Sequence, residues 1–248
     1  MKSALLLTGL IWAAPSGASE RSDPKAEKIL GEIDATVNQW TDQFFTYEMI
    51  DKKPGSTERR LGLELYMKGE KRVTEFTAPA DVKGTRILIL SPTRMYVYLP
   101  AYKKVRRVAS HVKAAGFMGT TYASDDLAID TYVDKYFVTL VAEDDSAWVL
   151  DLVRRPKAEV AYPHLRLTAS KEKKLPTKVE YFDDDGKHIK TERRGDYRCQ
   201  GTVCVPFRMQ MEDLRSPGHV TQIVSRDWKV NSNIPESVFT RRFLLRGR

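Results

Sequence analysis

The side chains able to carry chemistry are few and dispersed. The chain holds two cysteines and four histidines among 248 residues. Cys199 and Cys204 stand in C-Q-G-T-V-C, with a glycine between two β-like flanks. In an oxidising compartment this spacing suggests a disulfide across a hairpin; in a reducing one it leaves two thiols on neighbouring strands. A redox-active pair is disfavoured, because the spacing is not C-x-x-C. His111, His164, His188 and His219 are solitary, with no acidic residue or cysteine at ligand spacing. There is no G-x-S-x-G elbow, no H-E-x-x-H and no glycine-rich phosphate loop. The expectation is a protein without catalytic residues, metal or cofactor.

Two further patterns have plainer readings. Asp183, Asp185, Gly186, Ile189 and Glu192 fall on positions 3, 5, 6, 8 and 12 of an EF-hand loop, but position 1 is Tyr181. The flanks look like strands, so D-D-D-G reads as a hairpin turn with Gly186 supplying positive φ. Basic clusters recur at Arg59-Arg60, Lys103-Lys104 with Arg106-Arg107, Arg154-Arg155 with Lys157, Lys171 with Lys173-Lys174, Arg193-Arg194 and Arg241-Arg242. Most read as solvated faces or strand ends. The functional alternative is transient contact with an anionic lipid surface or an acidic protein, weakened by salt.

The elements that would position these residues begin after an address. Lys2 is followed by an apolar run from Ala4 to Ala14, then Ser16-Gly17-Ala18. The run is too short to span a bilayer, so residues 1–18 read as a secretory signal peptide cleaved after Ala18. Export to the periplasm follows, and with it nucleic acid drops out as a partner for the net charge of +8. Asp23-Pro24 then starts a helix whose apolar stripe is Ile29, Ile33, Val37 and Trp40, ending near 39–41. Nearly everything after it has the two-residue period of strands. Leu61, Leu63, Leu65 and Met67 alternate with Gly62, Glu64, Tyr66 and Lys68; Val203, Val205, Phe207, Met209 and Met211 alternate with polar neighbours. More than ten strands are expected. So many half-wet strands must curl into a barrel or split into packed sheets, and one domain over 19–248 is expected. Residues 110–131 break the period yet hold Phe117, Met118, Tyr122, Leu127 and Ile129, which suits a lid or an end plug. Ser124 could cap a short helix there, with Asp125 and Asp126 in its first turn. Apolar residues at 42% suffice for a core and exclude wholesale disorder.

K-G-T-R-I-L-I-L at 83–90 and M-Y-V-Y-L-P-A-Y-K-K-V-R-R-V at 95–108 resemble the tyrosine–proline–basic signature of LolA-like outer-membrane lipoprotein-sorting proteins. G-F-M-G-T-T-Y-A-S-D-D-L at 116–127, L-P-T-K-V-E-Y-F-D-D-D-G-K at 175–187 and F-T-R-R-F-L at 239–244 resemble the same family, in its broader branch. The resemblance implies an unclosed β-barrel of about eleven antiparallel strands covered by helices, with an apolar inner face holding acyl chains. The implied function is a periplasmic carrier of acylated lipoproteins or lipids, working between an inner-membrane exporter and an outer-membrane acceptor. The expected lining is Leu63, Leu65, Met67, Ile87, Ile89, Met95, Val97, Phe137, Trp148, Leu150, Phe207, Met209 and Met211, with Phe117 and Met118 as a mobile rim. The competing function on the same fold is a non-enzymatic sensor or accessory subunit of an exporter or signalling system.

Overall fold

A computed structural model describes residues 21–91, 94–108, 117–123, 126 and 131–247. The segment 1–18 expected to be a signal peptide, the expected cap Ser124, and Asp125, Leu127 and Ile129 lie outside the described residues, as does the side chain of Phe117. No described helix is long and apolar enough to cross a membrane.

Helix α1 (Pro24–Val37) opens where Asp23 accepts the Lys25 N–H and Pro24 occupies the first turn. It ends at Val37, before Trp40, because Asn38 closes it by donating its backbone N–H to Asp34. Trp40 therefore leaves the helical stripe and instead donates its indole N–H to the Val37 carbonyl. The strands are β1 (Asp42–Lys52), β2 (Arg59–Lys68), β3 (Lys71–Ala78), β4 (Arg86–Ser91), β5 (Arg94–Leu99), β6 (Lys104–Arg107), β7 (Tyr136–Glu143), β8 (Ala147–Arg154), β9 (His164–Ser170), β10 (Leu175–Phe182), β11 (His188–Gln200), β12 (Val203–Asp213) and β13 (His219–Val230). A short 3-10 turn (Glu236–Phe239) and helix α2 (Arg241–Arg246) close the chain.

All thirteen strands belong to one antiparallel sheet, ordered β6-β5-β4-β3-β2-β1-β13-β12-β11-β10-β9-β8-β7. The ladder is open: β6 and β7 end the order and do not pair with each other. The sheet thus exceeds the eleven strands implied by the resemblance. The predicted period-2 segments account for the difference, since each forms its own strand. Chain-adjacent strands pair throughout except β6 and β7, and β1–β13 pairing joins the two arms in the middle.

The two faces are covered differently. On the inner face, Ala26, Ile29, Leu30 and Ile33 of α1 join a core with Tyr136, Val138, Leu150, Leu152, Leu165, Leu167, Val179 and Tyr181. On the outer face, Ile234, Val238, Phe239 and Leu244 cover Tyr66, Val73 and Leu88. The D-D-D-G segment is a turn between β10 and β11: Gly186 takes φ +73° and donates its N–H to the Asp183 carbonyl.

Candidate functional site

Strand register fixes which side chains share the inner face. Gln43, Met67, Arg72 and Ile89 lie in register across β1, β2, β3 and β4, and beside them Phe45, Leu65, Thr74 and Ile87 form the next row. In the other direction Met49, Ile223, Met209 and Arg194 run across β1, β13, β12 and β11. Strand alternation sends every second residue to one side, so these rows build a single surface.

That surface encloses a cavity of about 210 Å³. Its apolar wall is Phe45, Tyr47, Met49, Leu63, Leu65, Met67, Ile87, Ile89, Val205, Met209 and Ile223. Its polar lining is Gln43, Arg72 and Thr74 from β1 and β3, with Asp126, Glu192 and Arg194 on the β11 side. A smaller cavity of about 110 Å³ adjoins it, sharing Gln43, Met67, Arg72, Arg194, Val205 and Pro206 and reaching Trp40 and Tyr197.

Six of the residues expected in the lining are in this wall: Leu63, Leu65, Met67, Ile87, Ile89 and Met209. Met95 and Val97 share their face one strand further out, opposite Ile89 and Ile87. Met211 and Leu150 are fully buried in the main core, and Trp148 packs against that core. Phe207 joins Phe45, Val203, Val205 and Trp228 in a separate aromatic cluster. Phe137 pairs with Val153 on the outer face, under the Arg155 guanidinium at 4.6 Å. Alternation puts it opposite Val138, which points to α1. Phe117 and Met118 stand in a short 3-10 turn, where the Met118 carbonyl accepts an Arg59 guanidinium N–H at 2.9 Å and the Met118 side chain packs on the core. Cys199 and Cys204 face each other across β11 and β12 and are bonded, S–S 2.03 Å.

On the β11 side the polar lining belongs to a network that the sequence hides. Lys190, Glu192 and Arg194 alternate along β11 and face inward with Met211 and Met209. Lys190 Nζ donates to Asp126 Oδ2 at 2.8 Å and to the Tyr162 hydroxyl at 2.9 Å, and the Tyr162 hydroxyl donates to Asp126 Oδ1. Asp126 also accepts the Ala123 N–H at 2.6 Å. Glu192 Oε2 receives Arg194 at 2.7 Å and the Tyr181 hydroxyl at 3.0 Å, and Oε1 receives Tyr122 at 3.5 Å. Buried charges persist only when paired and hydrogen-bonded, and each of these four is. Burial, reinforced by the Glu192 charge, pushes the Tyr181 and Tyr122 hydroxyls well above their usual range, so both remain donors. Burial alone would lower the Arg194 guanidinium; the Glu192 carboxylate beside it holds it well above the usual value.

His219 acquires a partner that sequence distance conceals. It meets Asp51 Oδ1 at 3.1 Å, and the Thr221 hydroxyl donates to the same oxygen. The Thr221 hydroxyl in turn accepts the Thr121 N–H at 2.9 Å, while the Thr121 hydroxyl donates to the Met211 carbonyl. The Thr221 hydroxyl thus bridges the Asp51 carboxylate and the Thr121 backbone, and these bonds fasten the segment around Thr121 onto β12 and β13. Among the described residues no cluster of three or more His, Cys, Asp or Glu could hold a metal.

Known proteins sharpen this picture. A protein-family model described as an uncharacterized-protein-like family matches residues 68–246. No curated protein matches the chain in sequence. An outer membrane lipoprotein-sorting protein domain from Vibrio parahaemolyticus superposes with TM-score 0.80 at 26% identity, covering 90% of this chain and 99% of its own. A DUF1329 family protein from Desulfovibrio piger gives TM-score 0.80 at 21% identity, covering 88% and 97%. A LolA superfamily protein from Nitrosomonas europaea gives 0.72 at 22%, covering 88% and 98%. The chain belongs to the family that the matching model describes, and its open, helix-covered sheet is that of the LolA-like outer-membrane lipoprotein-sorting proteins.

Proposed function

We propose that the chain is a periplasmic carrier, exported by a signal peptide over 1–18 and folded as one domain over 19–248, that holds acyl chains of lipoproteins or lipids for transfer towards the outer membrane. The observation that carries this reading is the apolar inner-face cavity between β4 and β11, in a fold shared with lipoprotein-sorting proteins. Each methylene moved out of water is worth ~0.8 kcal/mol, so a sixteen-carbon chain gains on the order of 10 kcal/mol. The role needs no bond chemistry and no cofactor. Release requires a competing acceptor or movement of the rim at Phe117 and Met118, because escape into water would be slow. An inner-membrane exporter would load the cavity and an outer-membrane acceptor would empty it.

Native mass spectrometry and lipid extraction of the purified protein test the reading, together with uptake of a fluorescent fatty acid. Bound lipid, and uptake weakened by Leu65→Glu, are expected. Lipid-free protein that takes up no acyl chain sinks the carrier. If that same protein recovers one stoichiometric partner, the sensor or accessory-subunit role replaces it.

A further inference from the structure

The cations of this protein are distributed unequally around the sheet. Near β7, at one end, they meet carboxylates: Lys25 and Lys171 both bind Glu143, at 2.6 and 2.7 Å, and Arg166 binds Asp151 at 2.7 Å. At the other end, residues 94–108 and 240–248 contain no Asp or Glu at all. Those two segments are brought together in space. The turn at Pro100–Tyr102 joins β5 to the outermost strand β6, and α2 packs across β4, β5 and β6. Leu244 anchors α2 in the outer cluster, and the Arg241 guanidinium sits 5.3 Å from the Tyr96 ring.

With Leu244 buried and Phe243 half-buried against that cluster, Arg241, Arg242, Leu245 and Arg246 are left facing water. Their spacing puts them on one helical face. On the neighbouring hairpin Arg94 and Arg107 are exposed on the same outer side as Tyr96, and Lys103 is exposed at the turn. Lys104 and Arg106, opposite Leu99 and Val97, are exposed on the inner side of the edge strand β6. Two large apolar side chains stand among these cations: Tyr102 at 64% exposure and Leu245 at 51%. An acidic polypeptide would satisfy the charges alone. A bilayer interface satisfies charges and apolar tips together, since basic residues pair with anionic headgroups while aromatic and leucine side chains enter the boundary region.

We propose that the β6 edge of the sheet, where the β5–β6 hairpin and α2 meet, docks edge-on against an anionic phospholipid surface. β5 and β4 are adjacent, and β4 contributes Ile87 and Ile89 to the cavity. Docking therefore brings the cavity-bearing arm of the sheet, rather than the arm under α1, to the lipid.

Flotation of the purified protein with vesicles tests this without any acyl ligand. Vesicles of phosphatidylcholine mixed with phosphatidylglycerol should bind it, pure phosphatidylcholine should bind it far less, and added salt should weaken the interaction. Each cation neutralised should cost about fivefold in affinity, so Lys103→Gln with Lys104→Gln should lose roughly 25-fold. Arg241→Gln with Arg242→Gln, on a separate element, should lose about as much. Lys173→Gln with Lys187→Gln, exposed elsewhere, should change nothing, and circular dichroism verifies that each variant folds. Tyr102→Ser and Leu245→Ser should weaken binding equally at low and high salt. Equal binding to both vesicle types, or full binding by both basic-pair variants, overturns the proposal. So does capture by soluble poly-glutamate with no vesicle binding, which would assign the face to an acidic protein.

Discussion

The inner face is solid over β7 to β10 and hollow between β4 and β11, although both regions are built from the same alternating strands. A fourteen-residue helix is about 21 Å long, while thirteen strands span roughly 60 Å across the ladder. One helix cannot cover such a sheet. It covers the arm where Leu150, Leu152, Leu165 and Leu167 offer a close-packed bed, and leaves the arm lined by Met49, Met67 and Met209. Leucines there fit one geometry, whereas methionines fill irregular space and adapt to what enters. The difference teaches that, among the described residues, the helix covers only part of the inner face, and that the ionic network on β11 lies at the boundary between the packed part and the hollow.

The sharpest way to break that boundary is to unpair the network. Glu192→Leu leaves the Arg194 guanidinium and the Tyr181 hydroxyl facing an apolar side chain. Stranding a buried charge costs about 3–5 kcal/mol, so the urea midpoint should fall steeply. A midpoint near wild type would mean that water already reaches Arg194 and that the hollow extends into the arm under α1.

Matched truncations compare the arms directly. Leu152→Ala, at 0% exposure under α1, should lose about 4 kcal/mol from lost transfer energy and a new cavity. Ile87→Ala enlarges a hollow that already exists, so about 1 kcal/mol is expected from lost area alone. Its larger effect should be on fluorescent fatty-acid uptake, which Leu152→Ala should leave in proportion to folded protein. Equal stability losses would erase the distinction between solid and hollow.

The pH dependence of the solid arm has a definite sign. Burial raises the Asp34 carboxyl to about 6, even though it accepts the Tyr132 and Val133 N–H groups at 2.8 Å. A carboxyl whose folded pKa exceeds its unfolded value of 3.8 binds its proton more tightly in the folded state. Its favourable contribution is complete below about 3.8 and is lost as pH rises to about 6. The gap corresponds to at most about 3 kcal/mol. Asp34→Asn should flatten the difference between urea midpoints at pH 4 and pH 7, leaving other groups' contributions in place. If the slope in that window is unchanged, Asp34 titrates normally and α1 seats less tightly than its contacts indicate.

How much of this was legible in the sequence follows from what alternation can and cannot encode. Period-2 apolar residues mark strands wherever one face is dry, so β2 and β12 are evident from Leu61–Met67 and Val203–Met211. Alternation also groups Leu63, Leu65 and Met67 on one face, but it does not say which arm α1 will cover. For that reason Leu150 and Met211, equally apolar, lie in solid core while Ile87 and Met209 line the cavity. Phe137 follows Tyr136 directly, and only pairing with β8 reveals that Tyr136 and Val138 take the inner side. The network is the least legible part. K-T-E-R-R at 190–194 reads as a solvated strand, because its partners Asp126, Tyr162 and Tyr122 come from distant segments. The one available signal was an inconsistency: β11 alternates Ile189 and Thr191 with charged residues while lying mid-sheet, where both faces must be covered.

The smallest expected effect concerns the hollow arm's end. The disulfide between Cys199 and Cys204 staples the tip of the β11–β12 hairpin, and Cys204 borders the smaller cavity beside Arg194. Closing so short a loop restricts the unfolded chain modestly, so replacing both cysteines by serine should cost about 2 kcal/mol. That loss should appear in urea unfolding, and reductant should lower the wild-type midpoint by a similar amount while leaving the variant unmoved. Because the staple acts on the unfolded chain, acyl uptake by folded variant should match wild type. Uptake that falls further than the folded fraction would show instead that the hairpin tip holds Val205 and Pro206 in place, making it part of the cavity wall rather than a fastening outside it.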